Sequence, residues 1–214
     1  MGGRGQSSAS SHASQHAQQT RTAGAGGSAG YKPWQSEKIS GKDLDHVVGA
    51  WKGSSSDVRH AINGRAGSSM DQKLAEQFDD WLNSGSYDKT IYRGKRVTKA
   101  ELAALQGSVG ALIDQDGPAS FSKSLSVARQ FAQGGYNHNS GATQRVIFRL
   151  EGGTHAGQDI QKLHGFHNEM EIAVGSASHM LVTSVTTEVV GGRHYTIVSG
   201  VEQKQTYVSP HKKK

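Results

Sequence analysis

The chain contains 214 residues, of which 34% are hydrophobic, 28 are glycine and none is cysteine. The lack of cysteine excludes a disulfide framework, a thiolate zinc site and a cysteine nucleophile. The formal net charge is +6, but Arg4 and Arg21 lie in a stretch without acids, and three further bases are the lysines at 212–214. A nucleic-acid-binding domain usually concentrates positive charge on one folded face, so this distribution argues against a nucleic-acid partner.

Residues 1–30 are rich in glycine, serine, alanine, glutamine and histidine and contain no leucine, isoleucine, valine or aromatic residue. Such a segment cannot bury enough apolar surface to offset the entropy of ordering it. We therefore predict a disordered basic tail over residues 1–38, one folded domain over residues 39–201 and a second basic tail over residues 202–214.

The first elements of the folded domain are predicted to be helices. Apolar residues at helical spacing after Ser40, which is a plausible N-cap, predict a first helix that ends before Gly53; they are Leu44, Val47, Val48 and Trp51. A short helix is predicted over residues 57–63, and a third helix begins after Ser69, with an apolar face of Leu74, Phe78, Trp81 and Leu82. Residues 39–86 therefore form a predicted helical part, whose two tryptophans are interpreted as packing residues.

Residues 87–201 are predicted to form mainly strands. Strands are expected over residues 90–93 and leading into Phe121, while Thr98-x-x-Glu101 is a capping box that begins a helix. A further short helix is predicted over residues 124–131, and apolar and polar residues alternate over residues 145–150. Gly191-Gly192 separates two strand-like segments as a hairpin. Helices followed by strands predict an α+β fold.

Two glutamates, Glu169 and Glu171, flank Met170 in a segment with the alternation of a strand. In a strand both carboxylates would project from one face, roughly 6.5 to 7 Å apart, while Met170 and Ile172 would face the other side. Carboxylates at this separation can divide acid, base and electrostatic roles at a glycosidic carbon. The alternative interpretation is an exposed acidic strand face without catalytic function.

Two other segments carry groups suited to ligand binding. Tyr92-Arg93-Gly94 lies at the predicted end of a strand, where a guanidinium can bind phosphate and a bare backbone can approach a ligand. The segment Phe-Ser-Lys-Ser at 121–124 passes from strand to helix, so Ser122 and Ser124 can contact a ligand or cap the helix. Helix capping is the expected role of Ser124.

Two histidines near the glutamate pair could also be interpreted as metal ligands. His164 and His167 lie close to Glu169 in the sequence, but the chain contains 11 histidines, so a chance pair is the simpler interpretation. We predict that no metal is bound. The glycine-rich segments lack the lysine and the spacing of a P-loop.

Together, the arginine, serine and glutamate segments resemble, in order and spacing, the arginine-serine-glutamate class of mono-ADP-ribosyltransferases, found among bacterial toxins, phage proteins and animal ectoenzymes. Arg93 matches the arginine of this family, Phe121-Ser122-x-Ser124 its Ser-Thr-Ser strand, and Glu169-x-Glu171 its glutamate motif. Lys123 replaces the central threonine and is expected to point away from the neighbouring serines. The resemblance implies two packed, mostly antiparallel sheets that form an NAD cleft, preceded by a helical part.

The resemblance also implies which residues act on NAD. Arg93 would hold the pyrophosphate, Gly94 would receive the nicotinamide amide on its backbone, and Ser122 would position the nicotinamide ribose and the essential glutamate. An aromatic side chain would pack on the nicotinamide, for which Tyr136 is preferred over Phe131. The implied NAD-binding residues are Tyr92, Arg93, Gly94, Ser122, Ser124, Tyr136 and Glu171.

The catalytic residues implied by the resemblance are Arg93, Ser122, Glu169 and Glu171. Glu171 would stabilise the positive charge that develops as nicotinamide leaves, and Glu169 would orient and deprotonate the acceptor. In this family a glutamate at the position of Glu169 accompanies arginine modification, because a carboxylate pairs with guanidinium.

The predicted function is transfer of ADP-ribose from NAD to an arginine of a target protein, by a monomer without a metal. The alternatives are an NAD glycohydrolase, in which water replaces the acceptor, and a noncatalytic interaction module with basic tails. No apolar segment approaches the roughly 20 residues of a membrane span, and residues 1–30 lack the apolar segment of a signal peptide. We therefore expect no membrane partner, and a toxin-like or phage protein that acts in the cytoplasm or is exported by a non-classical route.

Overall fold

The computed structural model describes residues 39–65, 68–115, 117–134, 141–161, 163 and 169–204. Contacts divide the chain into Met1–Tyr31 and Lys32–Lys214, and every described residue belongs to the second unit. The predicted N-terminal tail, Tyr136 and the pair His164 and His167 lie outside the described residues. Among the described helices, none has the length and apolar character needed to cross a membrane.

In the described part of the chain, helices precede most of the strands, as predicted. The elements are α1 (Gly41–Ile62), α2 (Gln72–Asn83), β1 (Ile91–Val97), α3 (Lys99–Gln106), β2 (Leu112–Asp114), β3 (Ala119–Ser122), α4 (Leu125–Gln133), β4 (Gln144–Glu151), β5 (Gly157–Asp159), β6 (Glu171–Val174), β7 (Ser178–Val190) and β8 (Arg193–Lys204). The capping box of Thr98 and Glu101 and the hairpin at Gly191-Gly192 are confirmed.

The two helices predicted before residue 64 are one interrupted helix, α1, in which Ser54 has non-helical dihedral angles of φ −155° and ψ 84°. Its N-cap position is Ser40, as predicted, although the Ser40 side chain makes no capping hydrogen bond. α1 packs on α2 because both helices bury their apolar faces in a shared core, where the rings of Trp51 and Phe78 lie 5.6 Å apart. The helical part therefore holds Trp51 rigidly.

The eight described strands form one mixed sheet in the order β2-β7-β8-β4-β1-β3-β6-β5. β4 and β8 are parallel, and the remaining described pairs are antiparallel. The mostly antiparallel α+β fold is confirmed. The sequence predicted two packed sheets, whereas the described strands form one continuous sheet, in which β1 and β3 are joined by the pairing of Tyr92 with Ser122.

Gly94 lies inside β1 rather than after its end, because β1 continues to Val97. At this position α4 crosses β1 closely: a Cβ atom on Gly94 would lie 1.7 Å from the backbone oxygen of Ala128. The prediction that Arg93 ends a strand is therefore wrong. Glycine is required at 94 by the contact between β1 and α4, which holds the strand that carries Arg93.

Substitution of Gly94 by alanine is expected to lower the free energy of unfolding by at least about 2 kcal/mol, because α4 has to move away from β1. Urea unfolding of the purified protein measures this loss. Gly107→Ala is the matched control, since a Cβ atom there meets nothing closer than 3.8 Å. Equal stability of Gly94→Ala and the wild type would contradict the close packing of α4 on β1.

Candidate active site

A cleft of about 700 Å³ opens where β1 and β3 meet, with α1 along one side. Polar and aromatic side chains from distant parts of the chain face it. The lining residues are Trp51, Lys52, Gly53, Ser54, Ser55, Ser56, Arg59, Tyr92, Arg93, Gly94, Ser120, Phe121, Ser122, Phe131, Glu169 and Glu171.

Most of the residues predicted from the sequence meet in this cleft. Six of them line it: Tyr92, Arg93, Gly94, Ser122, Glu169 and Glu171. Ser124 is not among the lining residues, and Tyr136 lies outside the described residues. Phe131, the less favoured aromatic candidate, does line the cleft. The cleft therefore brings together the arginine, serine and glutamate motifs, which span almost 80 residues of sequence.

Arg93 projects from β1 and donates a hydrogen bond to Gln115 Oε1. Burial and the nearby positive charge of Arg59 lower the pKa of Arg93 to about 10. The guanidinium is therefore still cationic at neutral pH. Two guanidinium groups that repel each other across a cleft form a site that an anion would stabilise.

Ser122 connects the strand β3 to the segment that carries the glutamates. Its buried hydroxyl donates to the backbone oxygen of Glu169 over 2.7 Å and accepts a hydrogen bond from the backbone N–H of Ser124. Ser124 is the N-cap residue of α4 by position, but its side chain makes no capping hydrogen bond and contacts Ser126 instead. The capping role predicted for the Ser124 hydroxyl is therefore wrong.

Glu169 and Glu171 do not share one strand face. β6 begins at Glu171, and Met170 adopts a left-handed conformation with φ 48°. This conformation, which is uncommon for a residue with a side chain, turns Glu169 out of the strand and leaves Met170 43% exposed. The strand alternation predicted for this segment is wrong before Glu171, yet both carboxylates line the cleft.

Glu171 is only 4% exposed. Burial raises its pKa, and the negative charge of Glu169 acts in the same direction. Hydrogen bonds from Ser120 and Trp51 and the positive charge of Lys52 oppose this rise. The protein therefore keeps an acidic group in a poorly hydrated place and surrounds it with donors from β3 and α1.

Sequence reasoning missed the contribution of α1 to the site. Trp51 was interpreted as a packing residue, but its Nε1 donates a 2.8 Å hydrogen bond to Glu171 Oε1. Lys52 donates from Nζ to the backbone oxygen of Leu163, and the Arg59 guanidinium lies 5.6 Å from the centre of the Trp51 ring. A polar stripe beside Trp51 is visible in the sequence, but nothing there indicates which strand it faces.

Lys123 points away from the cleft, as predicted, and forms an ion pair with Asp159. Its Nζ also donates to Gln161. Within the described residues, no group of three or more histidine, aspartate or glutamate side chains could hold a metal ion.

Glu171→Gln is expected to raise the free energy of unfolding at neutral pH, because it removes a buried charge and keeps an oxygen for Trp51 to bind. The raised pKa means that the native protein binds this proton more tightly than the unfolded chain. The greater stability of Glu171→Gln is therefore fully present above the pKa of Glu171 in the native protein. It decreases as the pH falls through that pKa and disappears below about 4.3, the ordinary pKa of glutamate.

Urea unfolding of both proteins across this pH interval measures the difference. Glu188→Gln is the control, because Glu188 is an exposed partner of Arg129, and its loss should change stability by less than about 1 kcal/mol. A Glu171→Gln protein no more stable than the wild type at neutral pH would count against the burial of an ionisable group here.

No family profile and no curated protein sequence matches the chain. Among solved structures, it is similar to the ADP-ribosyltransferase Vis from Vibrio splendidus in complex with agmatine, with 20% identity over 79% of this chain and 78% of that chain and a TM-score of 0.56. It is also similar to Plx2a, an ADP-ribosyltransferase toxin from Paenibacillus larvae, with 12% identity over 77% of this chain and 87% of that chain and a TM-score of 0.55. The ADP-ribosylating toxin BECa of C. perfringens, solved with NADH, is 12% identical over 78% of this chain and 44% of that chain, with a TM-score of 0.54. The chain therefore has the fold of the ADP-ribosyltransferases.

Proposed function

We propose that the protein is a mono-ADP-ribosyltransferase, which cleaves NAD between nicotinamide and ribose and transfers ADP-ribose to an arginine of a target protein. The observation that carries this proposal is the meeting of Arg93, Ser122 and both glutamates in one cleft. The fold supports it, since Vis, Plx2a and BECa are described as ADP-ribosylating proteins. NAD is the co-substrate, and no metal takes part.

The pyrophosphate of NAD binds at Arg93 in this proposal. Arg93 and Arg59 both line the cleft. Burial, and after it the positive charge of Arg59, lower the pKa of Arg93, and a dianion bound beside the two guanidinium groups opposes both effects. Gly94 offers a backbone without a side chain beside Arg93, and Tyr92 forms the adjoining wall. BECa, which has the same fold, was solved with NADH.

The nicotinamide ribose lies between Ser122 and Glu171. When the glycosidic bond breaks, its electron pair leaves with nicotinamide and positive charge develops on the ribose ring. A carboxylate in a poorly hydrated cleft stabilises such a charge more strongly than water does. Glu171 has to be ionised for this task, and the donors Trp51 and Ser120 favour the ionised form.

The acceptor is an arginine side chain bound by Glu169. The turn at Met170 separates the two carboxylates, so Glu169 can pair with a guanidinium and take its proton while Glu171 stays on the ribose. Vis was solved with agmatine, which carries a guanidinium group. A target protein with an accessible arginine is therefore the proposed partner.

An aromatic side chain against nicotinamide completes the site. Phe131 lines the cleft from α4 and can supply this contact. Tyr136, the aromatic favoured from the sequence, stays a prediction because it lies outside the described residues.

Glu171→Gln is expected to lower NAD cleavage by roughly a hundredfold or more, because an amide stabilises the developing positive charge far less than a carboxylate. Release of nicotinamide from NAD by the purified full chain measures this step. Glu151→Gln is the control and should match the wild type, because Glu151 pairs with Arg149 and is not among the residues that line the cleft. If the wild-type protein releases no nicotinamide with or without a bacterial lysate, the protein is the noncatalytic alternative.

Glu169→Gln should separate the two half-reactions. Transfer of labelled ADP-ribose to agmatine is expected to fall roughly a hundredfold, the usual contribution of a general base, while hydrolysis of NAD by water stays within a few-fold of the wild type. The assay follows label on agmatine and as free ADP-ribose in one reaction. Loss of hydrolysis equal to the loss of transfer would refute the acceptor role of Glu169. Wild-type hydrolysis without transfer to agmatine or to lysate proteins would identify an NAD glycohydrolase.

A further inference from the structure

Trp51 joins the helical part of the protein directly to the carboxylate of Glu171. The two residues are 120 positions apart in the chain, and the hydrogen bond from Trp51 Nε1 to Glu171 Oε1 is 2.8 Å long. Trp51 is 1% exposed and Glu171 is 4% exposed, so the bond is largely shielded from water. An indole has one donor and no acceptor, and an ionised carboxylate only accepts, so the direction of the bond is unambiguous.

The position of the Trp51 ring is fixed by neighbours that do not belong to the strands. Phe78 of α2 packs against it at 5.6 Å between ring centres, and the Arg59 guanidinium lies 5.6 Å from the ring centre. Arg59 is itself held by hydrogen bonds to the backbone oxygen and the hydroxyl of Ser55. The N–H group is therefore directed at Glu171 by packing in the helical core.

We propose that Trp51 is a positioning residue, which orients the Glu171 carboxylate and holds it ready for the ribose of NAD. This inference rests on the proposed function for its effect on turnover. The hydrogen bond from Trp51 occupies one acceptor site of Glu171 Oε1. Ser120, which lies in β3, donates a second hydrogen bond to the same carboxylate. With two donors on separate elements, the carboxylate cannot rotate freely, and its remaining acceptor sites face the cleft.

The same bond acts on the protonation of Glu171. A donor that binds the ionised form lowers the pKa, so removal of the indole N–H raises it further above the usual value for glutamate. The other charged groups around this carboxylate are Lys52 on α1 and Glu169 before β6, and Arg93 and Arg59 line the same cleft. A test of the bond therefore has to separate Glu171 from these neighbours.

The first experiment compares Trp51→Phe with the wild type. Phenylalanine keeps an aromatic ring in the core but has no N–H group. We expect kcat for NAD cleavage to fall roughly ten- to hundredfold, as for the loss of one hydrogen bond to a charged group, with KM for NAD within about twofold. The acidic limb of the pH profile of kcat should move to higher pH.

Trp81→Phe is the matched control, since Trp81 stacks on the same Phe78 from α2 and does not line the cleft. Both variants are checked by thermal unfolding. A Trp51→Phe enzyme with the wild-type kcat and pH profile would overturn the inference. So would a loss of kcat that Trp81→Phe reproduces at equal loss of stability, because the effect would then be structural.

The second experiment does not depend on enzymatic activity. In the full chain labelled with ¹⁵N at the indole nitrogens, the Trp51 resonance is the one missing from Trp51→Phe. We expect it to shift with pH as Glu171 titrates, to keep shifting in Glu169→Gln, and to lose this shift in Glu171→Gln. A Trp51 resonance that ignores pH in the wild type would refute the bond, whether or not the protein cleaves NAD.

Discussion

The burial of one carboxylate, that of Glu171, is the constraint on which the rest of the site depends. A charged group removed from water is strongly destabilising unless hydrogen bonds and opposite charges replace its hydration. Here the replacements for the carboxylate on β6 come from two other elements, since Ser120 belongs to β3 and Trp51 and Lys52 belong to α1. The site can therefore form only when α1, β3 and β6 are all in place.

The junction of β1 and β3 gives this carboxylate a cleft to face. β1 and β3 are joined by the pairing of Tyr92 with Ser122, and both of these residues line the cleft. Arg93, Gly94 and Ser122 all line this cleft. Gly94 also permits the close approach of α4 to β1, so the same residue is needed for helix packing and lies in the cleft.

The helices are part of the catalytic arrangement in the proposed enzyme, and not only a support for the sheet. Trp51 packs in the core with Phe78 and at the same time donates to Glu171. Lys52 and Arg59 lie on the same helix as Trp51, and together they bring the polar side of α1 to the cleft. The stability of the helical core and the geometry of the carboxylate are therefore coupled through a single side chain.

The order of the elements follows from local patterns in the sequence, whereas the site residues were predicted from the resemblance of three short motifs to a known family. Helical spacing located Trp51 and Phe78 on apolar faces, the Thr98 capping box began α3, and the three short motifs identified Arg93, Ser122 and Glu171. Only the tertiary structure decided that Met170 breaks the strand, that the Ser124 hydroxyl does not cap α4, and that Trp51 reaches Glu171. The first and last of these features involve contacts between residues far apart in the chain, from Ser122 to Glu169 and from Trp51 to Glu171, which no periodicity or local propensity can specify. The Ser124 hydroxyl instead bonds to its near neighbour Ser126.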